Sequence, residues 1–237
     1  MTHPPPSQAS PVTLDDLLQR SVWFAELDPE EKARVQDEMR EVIVPTGAYL
    51  CRRGDVLSHW QGTIDGLLKW AVTGDSGRSV TLAGLSAGSW FGEGAVINRK
   101  PVGADVVALR PSRVAQMPIE CFERLRATQR SFNDFLVRQL NERMYWFIDG
   151  FAAHHLMDTD RLVARALVGL FHPWLHPGSQ LHLQVSQDEI ANLSGLSRQR
   201  CNAALRRMAS AGMLEIQYAS IEIKDLDGLR HKIASAV

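Results

Sequence analysis

Long apolar runs are missing from this 237-residue sequence. No stretch approaches the roughly 18 consecutive apolar residues that a membrane-spanning helix needs. The opening segment, Met1 to Pro11, carries proline and serine but no apolar core of the kind a secretory leader has. A soluble, cytoplasmic protein is expected, with residues 1–12 as a disordered tail. Cysteine is scarce: Cys51, Cys121 and Cys201 stand far apart, with no C-x-x-C pair. That excludes the usual zinc and iron–sulfur spacings, and an odd, sparse set suits a reducing compartment. An excess of positive charge is missing too. Lys and Arg number 26 against 27 Asp and Glu, a formal net charge of −1. Any surface for a polyanion must therefore be a local patch. No nucleophile stands beside a base in a recognisable constellation, so catalysis is not expected.

What is there divides into three stretches. From Thr13 to Glu41 the pattern is helical, with Leu14, Leu17 and Leu18 on one face and Asp28-Pro29-Glu30 opening a second helix. From Val42 to about Met117, closely spaced glycines cut the chain into short strand-like pieces. Among them are 42–44, 66–72, 79–82 and 105–109. Such spacing predicts an antiparallel roll of jelly-roll type. A metalloenzyme on such a roll would need a His-x-His pair inside it, and this region holds only His59. His172, His176 and His182 gather beyond the roll and read as surface residues.

From Arg130 to His155 the only helix breaker is Gly150. Leu136, Leu140, Met144, Phe147 and Phe151 step by four, four, three and four residues along one face of a long helix. Such a helix outreaches a small domain, so the stripe predicts a dimer interface. A further helix runs from Arg161 to His172, and a domain boundary is placed near Asp158. The domains expected are a roll over 13–129, a dimerisation helix over 130–157 and a third unit over 158–237. The fold class is therefore α+β.

The most specific signal lies between Val185 and Met208. Ser186 and Glu189 form a capping box. Ile190 and Leu193 give an apolar face, and Ala191 leaves room for a crossing helix. Gly195 supplies a turn with positive φ, and Ser197 caps a second helix. Cys201 and Leu205 turn that helix inward. Its other face carries Arg198, Gln199, Asn202 and Arg206, side chains suited to base edges and phosphates. Arg200 and Arg207 would flank the groove, and Ser186, Gln187 and Ser197 are also expected at the DNA. Two short alternating strands around Gln217 to Ser220 complete a winged helix-turn-helix. Double-stranded DNA is the expected partner.

The arrangement resembles the Crp/Fnr family of bacterial transcription regulators. The resemblance runs from about Leu14 to Leu229. It rests on Gly47-Ala48-Tyr49-Leu50, Arg53-Gly54-Asp55, Trp90-Phe91-Gly92-Glu93, Ser197-Arg198 and Asp225-Leu226-Asp227-Gly228-Leu229, in that order. It implies a homodimer on a near-palindromic site, an effector in a cyclic-nucleotide-binding-like roll, and RNA polymerase as a partner. The effector region it implies includes Trp90, Phe91, Gly92, Glu93 and Val102 on the roll, with Trp146 and Phe147 on the long helix.

Departures from the cyclic AMP branch are as informative. Val102 and Gly103 stand where that branch has the Arg-Ser pair for the cyclic phosphate. Trp146 and Phe147 stand where it has the Thr-Ser pair for adenine. Arg99 and Lys100 are the nearest substitute cations. Cyclic AMP is therefore not the expected effector, although a cyclic nucleotide remains the alternative. No cofactor is assigned: His59, His154 and His155 are available to a haem but read as structural. An apolar cavity lined by tryptophans is the other option.

Overall fold

The computed structural model describes residues 12–75, 77 and 79–234. The expected tail lies outside the described residues up to Pro11. Helix α1 (Leu14–Arg20) starts at a capping box, in which Thr13 Oγ1 accepts from the Asp16 amide and the Asp16 carboxylate accepts from the Thr13 amide. Helices α2 (Val22–Ala25) and α3 (Pro29–Glu38) follow, the latter capped by Asp28. Their buried side chains, Trp23, Phe24 and Val35, pack in one cluster with Trp60 and Met117 of the roll.

The roll comprises β1 (Arg40–Val44), β2 (Tyr49–Cys51), β3 (His59–Asp65), β4 (Leu67–Thr73), β5 (Ser79–Ser86), β6 (Trp90–Phe91), β7 (Asp105–Ala108) and β8 (Ser112–Pro118). Helix α4 (Glu93–Asn98) sits between β6 and β7. Two antiparallel sheets result, in the orders β1-β8-β3-β6 and β2-β7-β4-β5. Period-two alternation splits their side chains. Val114 enters a cluster with Val44, Leu68, Leu85, Phe91 and Val106. Its neighbours Ala115 and Met117 face the helices instead, beside Trp60, Phe122 and Phe132. Trp60 and Trp90 stack there with ring centroids 4.3 Å apart. The roll read from the sequence is the roll observed.

Helix α5 (Ile119–Thr128) leads into α6 (Arg130–Leu156), 27 residues and about 40 Å long. Asp158 caps α7 (Thr159–Gly169), whose side chains begin a separate core. Then come β9 (His182–Leu183), α8 (Gln187–Ser194), α9 (Arg198–Ser210), β10 (Leu214–Gln217), β11 (Ser220–Ile223) and α10 (Leu226–Ala234). The wing is a three-stranded sheet, β10-β11-β9, one strand larger than a bare hairpin.

The roll and the winged helix meet along a polar and apolar seam. Arg110 donates to the Gly66 carbonyl on the roll (3.0 Å) and to the Gln184 carbonyl beyond it (3.1 Å). Ser86 Oγ lies 2.6 Å from Ser179 Oγ. The approach is close: a Cβ on Gly84 would sit 2.5 Å from Leu170.

Candidate nucleic-acid interface and effector region

The first helix of the motif, α8, opens on the expected capping box. The Ser186 amide donates to Glu189 Oε2 at 2.6 Å, and the Glu189 amide donates to Ser186 Oγ at 3.2 Å. It ends at Gly195, whose φ of +67° is left-handed. A side chain there would also collide with the long helix, because a Cβ would stand 2.7 Å from His154 Cε1. Ser197 then caps α9.

At about 100° per residue, α9 has three sides. Cys201, Ala204, Leu205 and Met208 are buried and fix its roll about its own axis. Gln199 and Arg206 lie on the opposite, exposed side, while Arg198, in the first turn, is exposed at the border of the buried side, about 20° round from Leu205. Asn202 is half-buried between Arg198 and Arg206, and its Oδ1 has no hydrogen-bond partner. Arg198 Nε is 3.0 Å from Asp188 Oδ1 of α8. On the third side, Arg200 and Arg207 are tied to α7. Arg200 Nη2 donates to Thr159 Oγ1 at 2.8 Å. Arg207 Nε donates to both oxygens of Asp160, at 3.0 and 3.1 Å. That hydrogen bonding from Arg207 holds the Asp160 carboxyl below its usual range despite partial burial. The structure thus sets Arg200 apart from the other predicted DNA-binding side chains, because its guanidinium braces the domain. Ser186 Oγ is occupied by its cap, and Gln187 is half-buried beside it. Tyr218, at the wing tip, was not singled out from sequence and is fully exposed.

The segment after β6 is held by the long helix. Glu93 is buried, and Arg143 Nε meets its Oε1 at 3.1 Å. Arg143 Nη2 and Gln139 Nε2 both donate to the Trp90 carbonyl at 2.8 Å. Glu93 Oε2 and Gln139 Oε1 have no hydrogen-bond partner. Neither Gln139 nor Arg143 was identified in advance. The available signal was two polar residues four apart, next to an apolar stripe. Gly92 takes φ +91° to make the turn. Val102 packs against the cluster inside the roll, beside Phe91 and Val106, while Arg99 and Lys100 are exposed.

The two aromatics expected in an effector pocket part company. Phe147 faces the roll, its ring 6.3 Å from that of Trp70. Trp146 packs on α7: a Cβ on Gly169 would come within 2.4 Å of its ring, and the Arg165 guanidinium lies 3.8 Å from its centroid. The dimer stripe also needs correction. Leu136 is buried in the protein's own core at 3 % exposure, because the first turns of α6 pack against the roll. Further along, Leu140, Met144, Phe147 and Phe151 are exposed, joined by Val137, Tyr145 and Ile148. The exposed seam is therefore broader than the stripe and starts later.

His176 is not a surface residue. It is buried, with Nδ1 2.5 Å from Ser89 Oγ, one residue before Trp90. Ser89 Oγ donates to the Ser86 carbonyl, so the imidazole is the donor through Nδ1–H. Burial, then Arg143 and His172, push its pKa down to about 3. An unfolded histidine has a pKa of about 6.5, so this site contributes its full stability above that pH. The contribution is lost as pH falls from 6.5 towards 3, by up to about 1.4 kcal/mol per unit. A melting temperature followed from pH 7.5 to pH 5 should fall, and His176→Gln should flatten the dependence. Parallel profiles for the two proteins would remove His176 as the cause. His59, by contrast, pairs with Ser58 at 2.8 Å, and among the described residues no three metal-ligating side chains gather.

A two-sheet roll, a long helix and a winged helix-turn-helix together define an effector-domain regulator of transcription. Residues 41–129 match the cyclic nucleotide-binding domain family, and residues 162–232 match the Crp-like helix-turn-helix domain family. The chain belongs to the Crp/Fnr family of transcription regulators. It is similar to the CRP-like cAMP-activated global transcriptional regulator of Mycobacterium tuberculosis, with 23% identity over 222 residues, covering 92% of this chain and 99% of that one. Solved structures share its fold. FixK2 from Bradyrhizobium japonicum has a TM-score of 0.70 at 14% identity, covering 84% of this chain and 99% of that one. The c-di-GMP responsive global regulator CLP of Xanthomonas campestris has a TM-score of 0.60 at 21% identity, with coverages of 83% and 99%. No described helix is long and apolar enough to cross a membrane.

Proposed function

We propose that this protein acts as a cytoplasmic homodimer that reads a near-palindromic DNA site through α9, under the control of an effector other than cyclic AMP. The observation that carries the reading is the two-sidedness of α9. Its apolar side is locked into the core, so Gln199 and Arg206 are held outward, with exposed Arg198 and half-buried Asn202 on their flank. The exposed seam of α6 is the dimer contact, and the functional units are 13–129, 130–157 and 158–237. RNA polymerase is the downstream partner. The protein works by binding and not by catalysis.

The effector reading follows from charge. A cyclic phosphate carries a full negative charge, and burying it without a cation is costly. Val102 offers none, Arg99 and Lys100 face solvent, and Arg143 is already committed to Glu93. Although the mycobacterial relative is described as cAMP-activated, an apolar or redox-type effector suits these residues better. The test has two arms. Selection from randomised duplexes should return a two-fold symmetric site with half-sites one helical turn apart, about 10 bp. Titration calorimetry with cyclic AMP and cyclic GMP should give no heat at micromolar ligand. Asymmetric or absent enrichment would refute the DNA reading. Micromolar binding that raises DNA affinity would refute the effector reading.

A further inference from the structure

The Arg198–Asp188 pair joins the two helices of the motif in a way that bears on how DNA is read. Asp188 is the second residue of α8, and Arg198 is the first of α9. The carboxylate contacts Nε of the guanidinium, at 3.0 Å. A guanidinium has five N–H groups in a planar fork. With the carboxylate beside Nε, the donors left clear of it are those on the two Nη atoms, at the far end of the fork. Guanine presents N7 and O6 side by side in the major groove, and two parallel Nη–H donors match them. Adenine replaces the O6 acceptor by an amino donor, so the same fork meets a repulsive partner.

We propose that Asp188 is a positioning residue for DNA recognition: it holds the Arg198 guanidinium by Nε so that both Nη groups point end-on at a guanine. The inference rests on α9 being the reading helix. In the free protein both side chains are more than half exposed, at 72% and 54%, and water screens the pair. In a major groove, water is displaced and the same contact strengthens. The carboxylate has a second effect. On arbitrary sequence no guanine meets the fork, so its negative charge opposes the polyanion without a base contact to offset it. Asp188 therefore sharpens discrimination from both directions: it fixes the arginine on guanine and weakens the background.

The test uses the full-length protein and the best selected duplex, with the contacted guanine replaced in turn by each other base. Arg198→Ala identifies that base pair, because the preference for guanine disappears there. Asp188→Asn should reduce the guanine preference by about threefold to tenfold, since a charged acceptor becomes a neutral one. Binding to a scrambled duplex should tighten at the same time. Asp188→Glu, which keeps the carboxylate, should recover much of the preference. A structural role for Asp188 would lower affinity for all sequences alike and would leave the base profile unchanged. If Arg198→Ala erases the preference while Asp188→Asn leaves it at the native value, the positioning role is wrong and the reading helix stands. If Arg198→Ala alters no base preference, α9 is not the reader and both fall together.

Discussion

Arg198→Ala is expected to abolish sequence-specific binding while leaving the protein folded and dimeric. Its side chain is 72% exposed, so truncation costs the fold little. Its partner Asp188 is exposed too and returns to water. On DNA the balance reverses. A bidentate arginine–guanine pair gives about 1–3 kcal/mol of discrimination, and a dimer has two such contacts, so roughly 2–6 kcal/mol is at stake. At about 1.4 kcal/mol per factor of ten, that spans from tens-fold to roughly ten-thousand-fold in affinity. Non-specific binding should weaken far less, because the remaining cations still meet phosphate. A footprint that survives the substitution unchanged at moderate salt would show that the base-reading surface lies elsewhere.

Met144→Glu is expected to split the dimer and, with it, specific DNA binding. Met144 stands midway along the exposed seam of α6, at 49 % exposure. In a two-fold symmetric helix pair, residues near the axis face their own copies. The substitution thus places two carboxylates close together in an apolar seam. Leaving a buried charge unpaired costs about 3–5 kcal/mol, enough to raise the dimer dissociation constant more than a hundredfold. The single chain tolerates the change because water already reaches that position. Leu136→Glu is no substitute test, since Leu136 belongs to the core of the roll and its replacement would disrupt the fold. Sedimentation should report a monomer with native circular dichroism. A Met144→Glu protein that stays dimeric at low micromolar concentration would place the interface on another surface.

Local signals read well when they depended on a few neighbours. The box at Ser186 and Glu189, the turn at Gly195 and the cap at Ser197 all have the predicted geometry. Strand pieces with apolar alternation, such as 66–72 and 105–109, became β4 and β7. Strands β3 and β8 were harder to see. The face of β3 opposite Trp60 and Ile64 carries Gln61 and Thr63, both buried, and β8 interleaves Arg113 and Gln116 with its apolar residues. Polar residues at inward positions erase the alternation from which a strand is read.

Illegible features depended on partners distant in sequence. Arg143 reaches Glu93 across 50 residues, and Arg200 reaches Thr159 across 41. No periodicity encodes either pairing. His176 looked like one of three surface histidines because nothing nearby in sequence reveals Ser89 beside it, 87 residues away. Similarly, the exposed stripe on α6 could be ordered by periodicity, but only packing against the roll decides that Leu136 turns inward. Both lessons favour the same division: the helix-turn-helix is local and was legible, whereas the surroundings of Glu93 are built from long-range contacts and were not.

The central claim is that the dimer distinguishes its own palindrome from other DNA through α9. The most direct test is fluorescence anisotropy of wild-type protein on two labelled duplexes, the selected palindrome and a scrambled duplex of equal composition, across a salt series. The account predicts one dimer per palindrome, bound at least about a thousandfold more tightly than the scrambled duplex, with both affinities falling as salt rises. Equal affinity for the two duplexes at every salt concentration would contradict it.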